Sequence, residues 1–319
     1  MSAFRVFLSL TIFSITSICF AQESRINSVS LLTTTRVLSS DAFEGRKTDT
    51  KGGRMARDFI VDKFKEIGLK PLDSSYVQTF QFYYRLYNVK PTGHNIIGYL
   101  EGTEIKDPHQ GCIVVGAHYD HLGVYAGDIY NGADDNASGV AALLEIATEL
   151  KLNPASLPIV FISFDAEEMR CAGSNYFVNS GLLPKASIHL FVNMDMISKS
   201  DEEKLFVTGT NFYPEYKKYI NATLEYCDLS IKYGHDRKRD DGLNNWVFLS
   251  DHGEFHKKGI PFIYFGVEEH EHYHRPTDTF DNINIGFFVE ASNVVLSFVQ
   301  SVANKKSLLK ESRKLKLKL

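Results

Sequence analysis

Five residues that are spread along the chain belong to the types that bind divalent metal ions. They are His118 in GAHYDHLG, Asp135 in NGADDNASG, Glu168 in FDAEEM, Asp195 in VNMDMIS and His274 in EHYHRPTDT. Two histidines and three carboxylates are too many for a single tetrahedral zinc ion that keeps an open position. They suit two metal ions that share a bridging carboxylate and a water molecule. The set therefore predicts metal-assisted hydrolysis.

The first segment combines a histidine with a carboxylate two residues later. On an extended backbone His118 and Asp120 point in the same direction. A metal-bound histidine usually donates its second ring N–H to a carboxylate, which fixes the tautomer. Asp120 is the candidate for that supporting role, and an ordinary His–Asp pair at a strand end is the alternative.

Two adjacent glutamates follow PIVFISF, a continuous apolar run at 158–164. Adjacent carboxylates in an apolar setting repel each other unless a cation or a proton lies between them. A division of roles removes the conflict, with Glu168 binding metal and Glu167 passing a proton from the attacking water to the leaving amine. A solvated acidic pair in a turn is the alternative.

The aspartates allow two interpretations each. Asp134 and Asp135 open a predicted helix, so one of them could cap the helix while the other binds metal. Asp195 lies among apolar neighbours, where a carboxylate is costly unless a metal or backbone N–H groups accompany it. Spacing alone does not decide between these roles.

A histidine-rich loop follows the last strand-like run. His270, His272 and His274 occupy alternate positions in it. Such a loop could hold a separate metal ion or be a solvated segment. His274 is preferred over the other two only because of a motif match.

Taken together, these segments resemble peptidase family M28, the group of co-catalytic zinc aminopeptidases. The family shares a His-x-Asp after a strand, an Asp-x-x-Ser-Gly helix start, a Glu-Glu pair, a strand-end Asp and a late His followed by x-x-x-Asp. All five features occur here in that order. LSSDAFEGRKTDTKGGRMARDFIVDKFKEIGLKP and LSDHGEFHKKGIPFIYF also resemble family segments, so the similarity covers about Leu31 to Asn293.

The resemblance implies how the ligands divide between two zinc ions per chain. His118 and Asp195 are implied for one ion, Glu168 and His274 for the other, with Asp135 as the bridge. Co2+ or Mn2+ are possible substitutes for Zn2+. Such ions hold a water or hydroxide between them.

The resemblance also implies the catalytic groups. Glu167 is expected to be the general base, and Tyr273 resembles the tyrosine with which some members stabilise the oxyanion, although a tyrosine at a loop end often only packs. The peptide bond after the bridging Asp is often cis in the family, so we expect a cis bond between Asp135 and Asn136. Residues 169–174 (MRCAGS) depart from the family pattern, which leaves the pocket wall undefined.

An exported aminopeptidase that removes N-terminal residues from peptides is the leading prediction. The closest rival is a glutaminyl-cyclase-like acyltransferase, which shares the fold but typically uses one zinc and tends to lose the Asp-x-x-Ser-Gly pattern and the full ligand set. A carboxypeptidase or dipeptidase fits the same family. A non-catalytic binding domain is the rival from another class, but such domains usually lose ligands or the base.

The elements that must position these residues alternate between helix and strand. Helices are predicted over 28–38, 52–67, 137–150, 213–226 and 287–302, and strands over 77–86, 95–100, 112–117, 158–164, 188–193 and 261–265. This order predicts an α/β three-layer sandwich with a central mixed, mostly parallel sheet, and the resemblance implies the zinc-dependent exopeptidase type. The carboxyl ends of its strands should gather the ligands at one edge.

A targeting segment precedes the predicted domain. Arg5, an apolar run and a small residue at Ala21 describe a secretory signal peptide over residues 1–21. The run is short for a membrane span, and an uncleaved membrane anchor is the alternative, while a lipid anchor at Cys19 is disfavoured by the bulky Ile18 before it. We expect a secreted or periplasmic protein that is cleaved after Ala21.

One peptidase domain is predicted over residues 22–305, followed by a basic, solvated tail over 306–319. The formal net charge of −4 argues against nucleic acid as a partner. A peptide substrate is expected, without stable membrane association after signal cleavage. Beyond the signal peptide the chain keeps Cys112, Cys171 and Cys227, which allow at most one disulfide, and three buried thiols are as good an interpretation.

Overall fold

Helices and strands alternate along the chain, as the sequence predicts. The computed structural model describes residues 26–224, 227, 229–237 and 242–316, so the predicted signal peptide lies outside the described part. Within that part the α-helices are α1 (Ser28–Leu38), α2 (Lys51–Ile67), α3 (Gly139–Leu152), α4 (Ala172–Ser180), α5 (Lys217–Thr223), α6 (His252–Lys257), α7 (Ile285–Ala303) and α8 (Lys306–Lys316). The strands are β1 (Lys70–Pro71), β2 (Val77–Gln81), β3 (Thr92–Leu100), β4 (Cys112–His118), β5 (Gly123–Tyr125), β6 (Asp128–Tyr130), β7 (Ile159–Phe164), β8 (Ile188–Asp195), β9 (Lys204–Thr208), β10 (Ser230–Tyr233) and β11 (Phe262–Gly266).

Nine of the eleven described strands form one large mixed sheet whose centre is parallel, and β5 and β6 form a separate two-stranded sheet. Its strand order is β1-β3-β7-β4-β8-β11-β9-β10, and β2 also pairs with β3. Strands β7, β4, β8 and β11 run parallel to one another, and β9 and β10 are parallel as well. The pairs on either side of the centre, β3 with β7 and β9 with β11, are antiparallel. The predicted mixed α/β sheet is confirmed, and its parallel part lies where helices connect the strands.

Both faces of the sheet are covered, which gives three layers. Ile113 and Val115 of β4 belong to the apolar cluster beneath α1, α2, α3 and α7. Cys112 and Val114, which alternate with them, face a smaller cluster beneath α4 and α6. Burial on both sides explains why the central strands read as continuous apolar runs in the sequence.

Helix α2 shows how local sequence sets the boundaries of an element. The side chain of Thr50 accepts a hydrogen bond from the backbone N–H of Gly53 at 3.2 Å, which caps the first turn. Gly68 has a left-handed φ of 77° and donates its N–H to the carbonyls of Phe64 and Lys65. The predicted stop at Gly68 is confirmed.

Two predicted elements are shorter in the structure. The strand predicted over 77–86 ends at Gln81, and turns with exposed aromatic and aliphatic side chains follow it. In the helix predicted over 213–226, the described residues form a short 3-10 turn (Pro214–Tyr216) followed by α5, which ends at Thr223, and residues 225–226 lie outside the described part.

The basic tail also differs from its prediction as a solvated terminus. It begins as α8, in which Leu308 and Leu309 are each only 6% exposed. Ser312 Oγ lies 2.7 Å from Nε2 of the buried His189. The folded domain therefore extends beyond the predicted boundary at residue 305, because a lysine-rich helix can still bury one apolar face.

Helix α7 is long and apolar enough to cross a membrane by length and composition. However, 56% of that span is buried inside the protein. Its apolar residues, such as Phe288 and Phe298, belong to the main cluster. Burial of this kind is typical of a core helix in a folded domain.

Candidate metal centre and active site

The carboxyl edge of the central strands gathers the predicted site. His118 is the last residue of β4, and Asp195 is the last residue of β8. Glu167 and Glu168 follow β7, and His274 lies in the loop after β11. Since β7, β4, β8 and β11 are parallel neighbours, their carboxyl ends open at the same edge.

Asp135 lies between two groups of potential ligand atoms. On one side, His118 Nε2 is 3.3 Å from Asp135 Oδ1 and 3.2 Å from Asp195 Oδ1. On the other side, Asp135 Oδ2 is 3.1 Å from His274 Nε2, which is 3.5 Å from Glu168 Oε1. One carboxylate that offers an oxygen to each group has the geometry that a bridging ligand needs.

The second group contains a histidine that sequence reasoning missed. Nδ1 of His121 is 2.9 Å from Glu168 Oε1 and 3.6 Å from Asp135 Oδ2. The ligand atoms of these three residues all lie within 4.8 Å of one another. The sequence HYDH places His121 three residues after His118, which could have drawn attention to it. No feature of the family motif, however, includes His121.

Within each group, the histidines and the carboxylates stabilise one another's charged forms. Burial opposes the charged imidazole, but neighbouring carboxylates, Asp195 first, raise the pKa of His118 well above its usual value. Burial likewise opposes protonation of His274, yet Asp135 and Glu168 raise its pKa to about 10. Desolvation and Asp135 disfavour the charged form of Glu168, but the facing histidines lower its pKa to about 2. Metal ions compete with such protons for the same nitrogen lone pairs.

Glu167 differs from its neighbour in both environment and pKa. Desolvation raises the pKa of Glu167 well above its usual value, and the negative charges of Glu168, Asp195 and Asp251 add to this effect while His118 opposes it. A carboxyl group with a raised pKa beside a cluster of ligands is suited to carry a proton.

A thiol from the segment that departs from the family pattern also touches this carboxyl group. Cys171 Sγ lies 3.4 Å from Glu167 Oε1. Cys112 and Cys171 are free, buried thiols, and burial raises the pKa of Cys171 well above its usual value. The protonated thiol can donate a hydrogen bond to Glu167.

Asp120 supports the site with its backbone carbonyl and, separately, with its side-chain carboxylate. His118 Nδ1 lies 3.1 Å from the backbone carbonyl of Asp120, whereas the carboxylate is 3.7 Å away. The carboxylate instead accepts the backbone N–H groups of Glu167 and Glu168, at 3.0 and 3.2 Å. The predicted support of His118 is therefore made by the carbonyl and not by the carboxylate, because the amides of the glutamate pair engage the carboxylate.

The segment that carries Asp135 is fixed from two sides. The carboxylate of Asp278 accepts the N–H of Asp135 at 3.0 Å and that of the preceding residue at 2.9 Å. The amide of Asn136 donates to the carbonyl of Met194 at 2.9 Å, which joins the segment to the end of β8. The peptide bond between Asp135 and Asn136 is cis, as predicted.

The other acidic and histidine candidates lie outside both groups. Asp134 accepts the N–H of Ser198 at 2.6 Å and faces His270 Nε2 at 3.0 Å. His272 Nδ1 lies 3.1 Å from the hydroxyl of Thr277. The contact between Asp134 and His270 therefore connects two loops of the site.

A buried arginine, which sequence reasoning also missed, supports the backbone of the ligand-bearing loops. Arg46 is fully buried, and burial lowers its pKa to about 10, so it stays protonated at neutral pH. Its guanidinium donates hydrogen bonds of 2.5–2.9 Å to four backbone carbonyls, those of Leu38, Tyr119, Asn131 and Gly132. Arg46 has a left-handed φ of 50°. The preceding Gly45 admits no Cβ, which would lie 2.4 Å from the carbonyl oxygen of Tyr130.

A cavity of about 320 Å³ opens beside Asp195. Half of its lining residues are apolar or aromatic, namely Met196, Trp246, Leu249, Tyr264, Val267 and Tyr273. The exposed Glu268 and Glu269 add two acidic side chains. Tyr273 stacks on His274 with 3.9 Å between ring centroids, and burial raises the pKa of Tyr273, so its hydroxyl keeps its proton. The cavity can receive an apolar side chain next to a positively charged group.

The donor set fits two zinc-type ions. Imidazole nitrogens and carboxylate oxygens are ordinary zinc ligands. The Asp120 carbonyl engages His118 Nδ1 and leaves Nε2 directed at Asp135 and Asp195. The first group offers three protein ligands, the number that catalytic zinc sites combine with a water.

Sequence comparison identifies relatives over most of the chain. The model of peptidase family M28 matches residues 95–299. Aminopeptidase YwaD of Bacillus subtilis (strain 168) is 29% identical over 238 residues, which cover 70% of this chain and 48% of that protein. The chain spans about half the length of the curated relatives that it matches.

Comparison with solved structures shows the fold. BSAP, a zinc aminopeptidase from Bacillus subtilis, superposes with a TM-score of 0.71 at 20% identity, over 89% of this chain and 97% of that chain. The glutaminyl cyclase of Porphyromonas gingivalis also gives 0.71 at 20% identity, over 88% and 99%. The fold is thus similar to structures with two different activities.

Proposed function

The chain belongs to peptidase family M28, and from this premise we propose that it is an exported, zinc-dependent aminopeptidase. It hydrolyses the peptide bond that follows the N-terminal residue of a peptide. The observation that carries the proposal is the position of Asp135 between two ligand groups, with Glu167 beside them. Such an arrangement suits a pair of metal ions and a proton carrier, which hydrolysis of an amide requires.

The proposed ligands are the five predicted residues, His118, Asp135, Glu168, Asp195 and His274. Two bound zinc ions would polarise the scissile carbonyl and lower the pKa of a bound water. Asp120 and Asp278 orient the ligands through the hydrogen bonds described above. Because these contacts fix the ligand-bearing backbone, the side chains are oriented before the substrate arrives.

Glu167 is the proposed general base. Its raised pKa allows it to take the proton of the attacking water and to hold it until the amine leaves. The same proton then passes to the leaving nitrogen, so the residue returns to its starting state. Tyr273 keeps its phenolic proton and lines the cavity next to His274, so its hydroxyl is proposed to donate a hydrogen bond to the oxyanion.

The charge of the cavity supports an aminopeptidase over a carboxypeptidase. Glu268 and Glu269 line the cavity, and no lysine or arginine does so among the described residues. Two carboxylates attract the positive N-terminal amine of a peptide and repel a C-terminal carboxylate. The apolar lining suits the side chain of the residue to be removed.

The ligand geometry supports a hydrolase over a glutaminyl cyclase. A cyclase joins the substrate's own amine to its side-chain amide and releases ammonia, so it needs no activated water. This proposal is supported by the position of Asp135 between two groups of potential ligands and by the place of Glu167 directly before Glu168. Export is part of the proposal and depends on residues 1–21, which lie outside the described residues.

The decisive experiment compares a free peptide with its N-acetylated form, using zinc-loaded protein and mass spectrometry. The free peptide should lose its N-terminal residue, and the acetylated one should stay intact. A chelator should abolish the reaction, and Glu167→Gln serves as the inactive control. Cleavage of the acetylated peptide would reject an aminopeptidase. One zinc per chain together with loss of ammonia from an N-terminal Gln peptide would identify a cyclase instead.

A further inference from the structure

Two imidazole nitrogens and two carboxylate oxygens converge in the second ligand group. They are Nδ1 of His121, Nε2 of His274, Oδ2 of Asp135 and Oε1 of Glu168. The four nitrogen–oxygen distances among them are 2.9, 3.1, 3.5 and 3.6 Å. Ligands about 2.0–2.1 Å from a tetrahedral zinc ion are about 3.3 Å from one another. The observed distances bracket that value.

The ring of His121 is held in place by packing. Its side chain is fully buried. The ring lies against Gly132, where an added Cβ would come within 2.6 Å of the ring carbons. Its second nitrogen, Nε2, is buried and has no hydrogen-bond partner among the described residues. The orientation of Nδ1 therefore comes from the surrounding backbone and from the ligand group that it faces.

We propose that His121 is a protein ligand of the second metal ion, in addition to Asp135, Glu168 and His274. The inference rests on the metal pair of the proposed function and adds a ligand that the five-residue pattern lacks. A role as a hydrogen-bond donor to Glu168 would explain the 2.9 Å contact alone. It would not explain why Nδ1 of His121 and Nε2 of His274 both lie within 3.6 Å of the same two oxygens, Oδ2 of Asp135 and Oε1 of Glu168.

This ligand makes the two metal positions unequal. With His121 as a ligand the second group would supply four protein side chains, the number that a tetrahedral zinc site takes, whereas the first supplies three, from His118, Asp135 and Asp195. The open coordination position falls on the side of Asp195, which lines the cavity. The second position should consequently bind its ion more tightly and fill first.

The test is zinc titration of the chelator-stripped protein against a chromophoric competitor, with bound zinc counted by elemental analysis after dialysis. His121→Asn keeps an N–H donor close to the position of Nδ1 but removes the imidazole ligand. We expect the tighter zinc affinity to fall by more than about 100-fold, beyond the 10–100-fold that loss of a supporting hydrogen bond costs. His109→Asn is the matched control, because His109 contacts Asp107 and Leu182 and should leave zinc affinity unchanged. A fall of 100-fold or less in His121→Asn would overturn the proposal.

A second measurement needs no variant and so does not depend on whether His121→Asn folds. In a crystal structure of the zinc-loaded wild-type protein, Nδ1 of His121 should lie about 2.0–2.1 Å from the ion. A separation above about 3 Å would overturn the ligand assignment even if both ions are bound. Failure of the proposed function is recognised separately, since it would appear in the wild-type protein as fewer than two ions or as no cleavage of the free peptide.

Discussion

Replacing Arg46 with lysine should loosen the loops that carry the metal ligands. The guanidinium donates to four buried carbonyls in different directions, at 2.5–2.9 Å. A lysine ammonium carries its three N–H donors on one nitrogen, so it cannot reach all the carbonyls that the guanidinium serves through three separate nitrogens, and at least one of them loses its partner. Two of the four carbonyls, those of Asn131 and Gly132, directly precede the segment of Asp135, and that of Tyr119 lies between His118 and His121.

The expected cost follows from this count. A buried carbonyl without a partner costs about 1–3 kcal/mol, so Arg46→Lys should lose at least about that much stability. Arg46→Met would leave three carbonyls unpaired, because that of Gly132 also accepts the N–H of Ala137 at 3.2 Å, and the cost by the same figure is about 3–9 kcal/mol. Since whole domains are stable by about 5–15 kcal/mol, the methionine variant should lose much of its stability, and lysine is the informative change.

The assay is thermal unfolding of the metal-free protein together with zinc titration. Arg46→Lys should lower Tm, by about 2–4 °C per kcal/mol in chains of 150–250 residues and by less in this longer one, and it should weaken zinc binding. Arg36→Lys is the matched control, because Arg36 is largely exposed and lies 3.9 Å from the exposed Asp281. If Arg46→Lys kept the wild-type Tm and zinc affinity, its carbonyl contacts would not be what holds the loops.

Three further changes test the catalytic proposal. Glu167→Gln should keep both zinc ions and lower kcat by about 10²–10⁴-fold, the usual contribution of a general base, so undiminished turnover would remove Glu167 from that role. Asp135→Asn should weaken both ions together in a metal titration, and loss of one ion alone would show that Asp135 does not bridge. The double change Glu268→Gln and Glu269→Gln should raise KM for free peptides with little effect on kcat, because it removes the charges proposed to attract the amine. An unchanged KM would place recognition of the amine elsewhere.

Three of the five proposed ligand positions have a local sequence signal, whereas Asp135 and His274 were chosen through the family resemblance. His118 and Asp195 end strands β4 and β8, and those strands are apolar on both faces and therefore easy to recognise. Glu168 follows β7 in the same way. Since the carboxyl ends of parallel neighbours meet at one edge, recognising the strands was enough to bring these residues together.

His121 and Arg46 carry no such signal. The role of His121 depends on the position of His274, far away along the chain, and on the two carboxylates between them. The partners of Arg46 are backbone carbonyls, which every residue has, so no sequence pattern can mark them. Both roles become visible only when distances between remote segments are known.

The C-terminal helix α8 was missed for a different reason. Its lysine-rich composition predicts a solvated segment, and the prediction for residues 306–319 rested on that composition. Leu308, Leu309 and Ser312 lie on its buried side and contact the domain near His189. Among the side chains that the structure describes, these three buried residues are too few to outweigh the charged majority in a sequence average.

The ligand-bearing loops share one physical device, which is a buried charged side chain that bonds to main-chain groups. Asp120 accepts the amides of the glutamate pair, Asp278 accepts those at Asp135, and Arg46 donates to the carbonyls of the loops. Several residues at the site have left-handed φ values, including Ala166, Met196 and His274, and such conformations persist only where the surroundings impose them. These hydrogen bonds are made within the protein, so we expect the chain itself to hold the proposed ligands close to the positions that metal binding requires. Metal binding then has little backbone ordering left to oppose it, which favours tight binding.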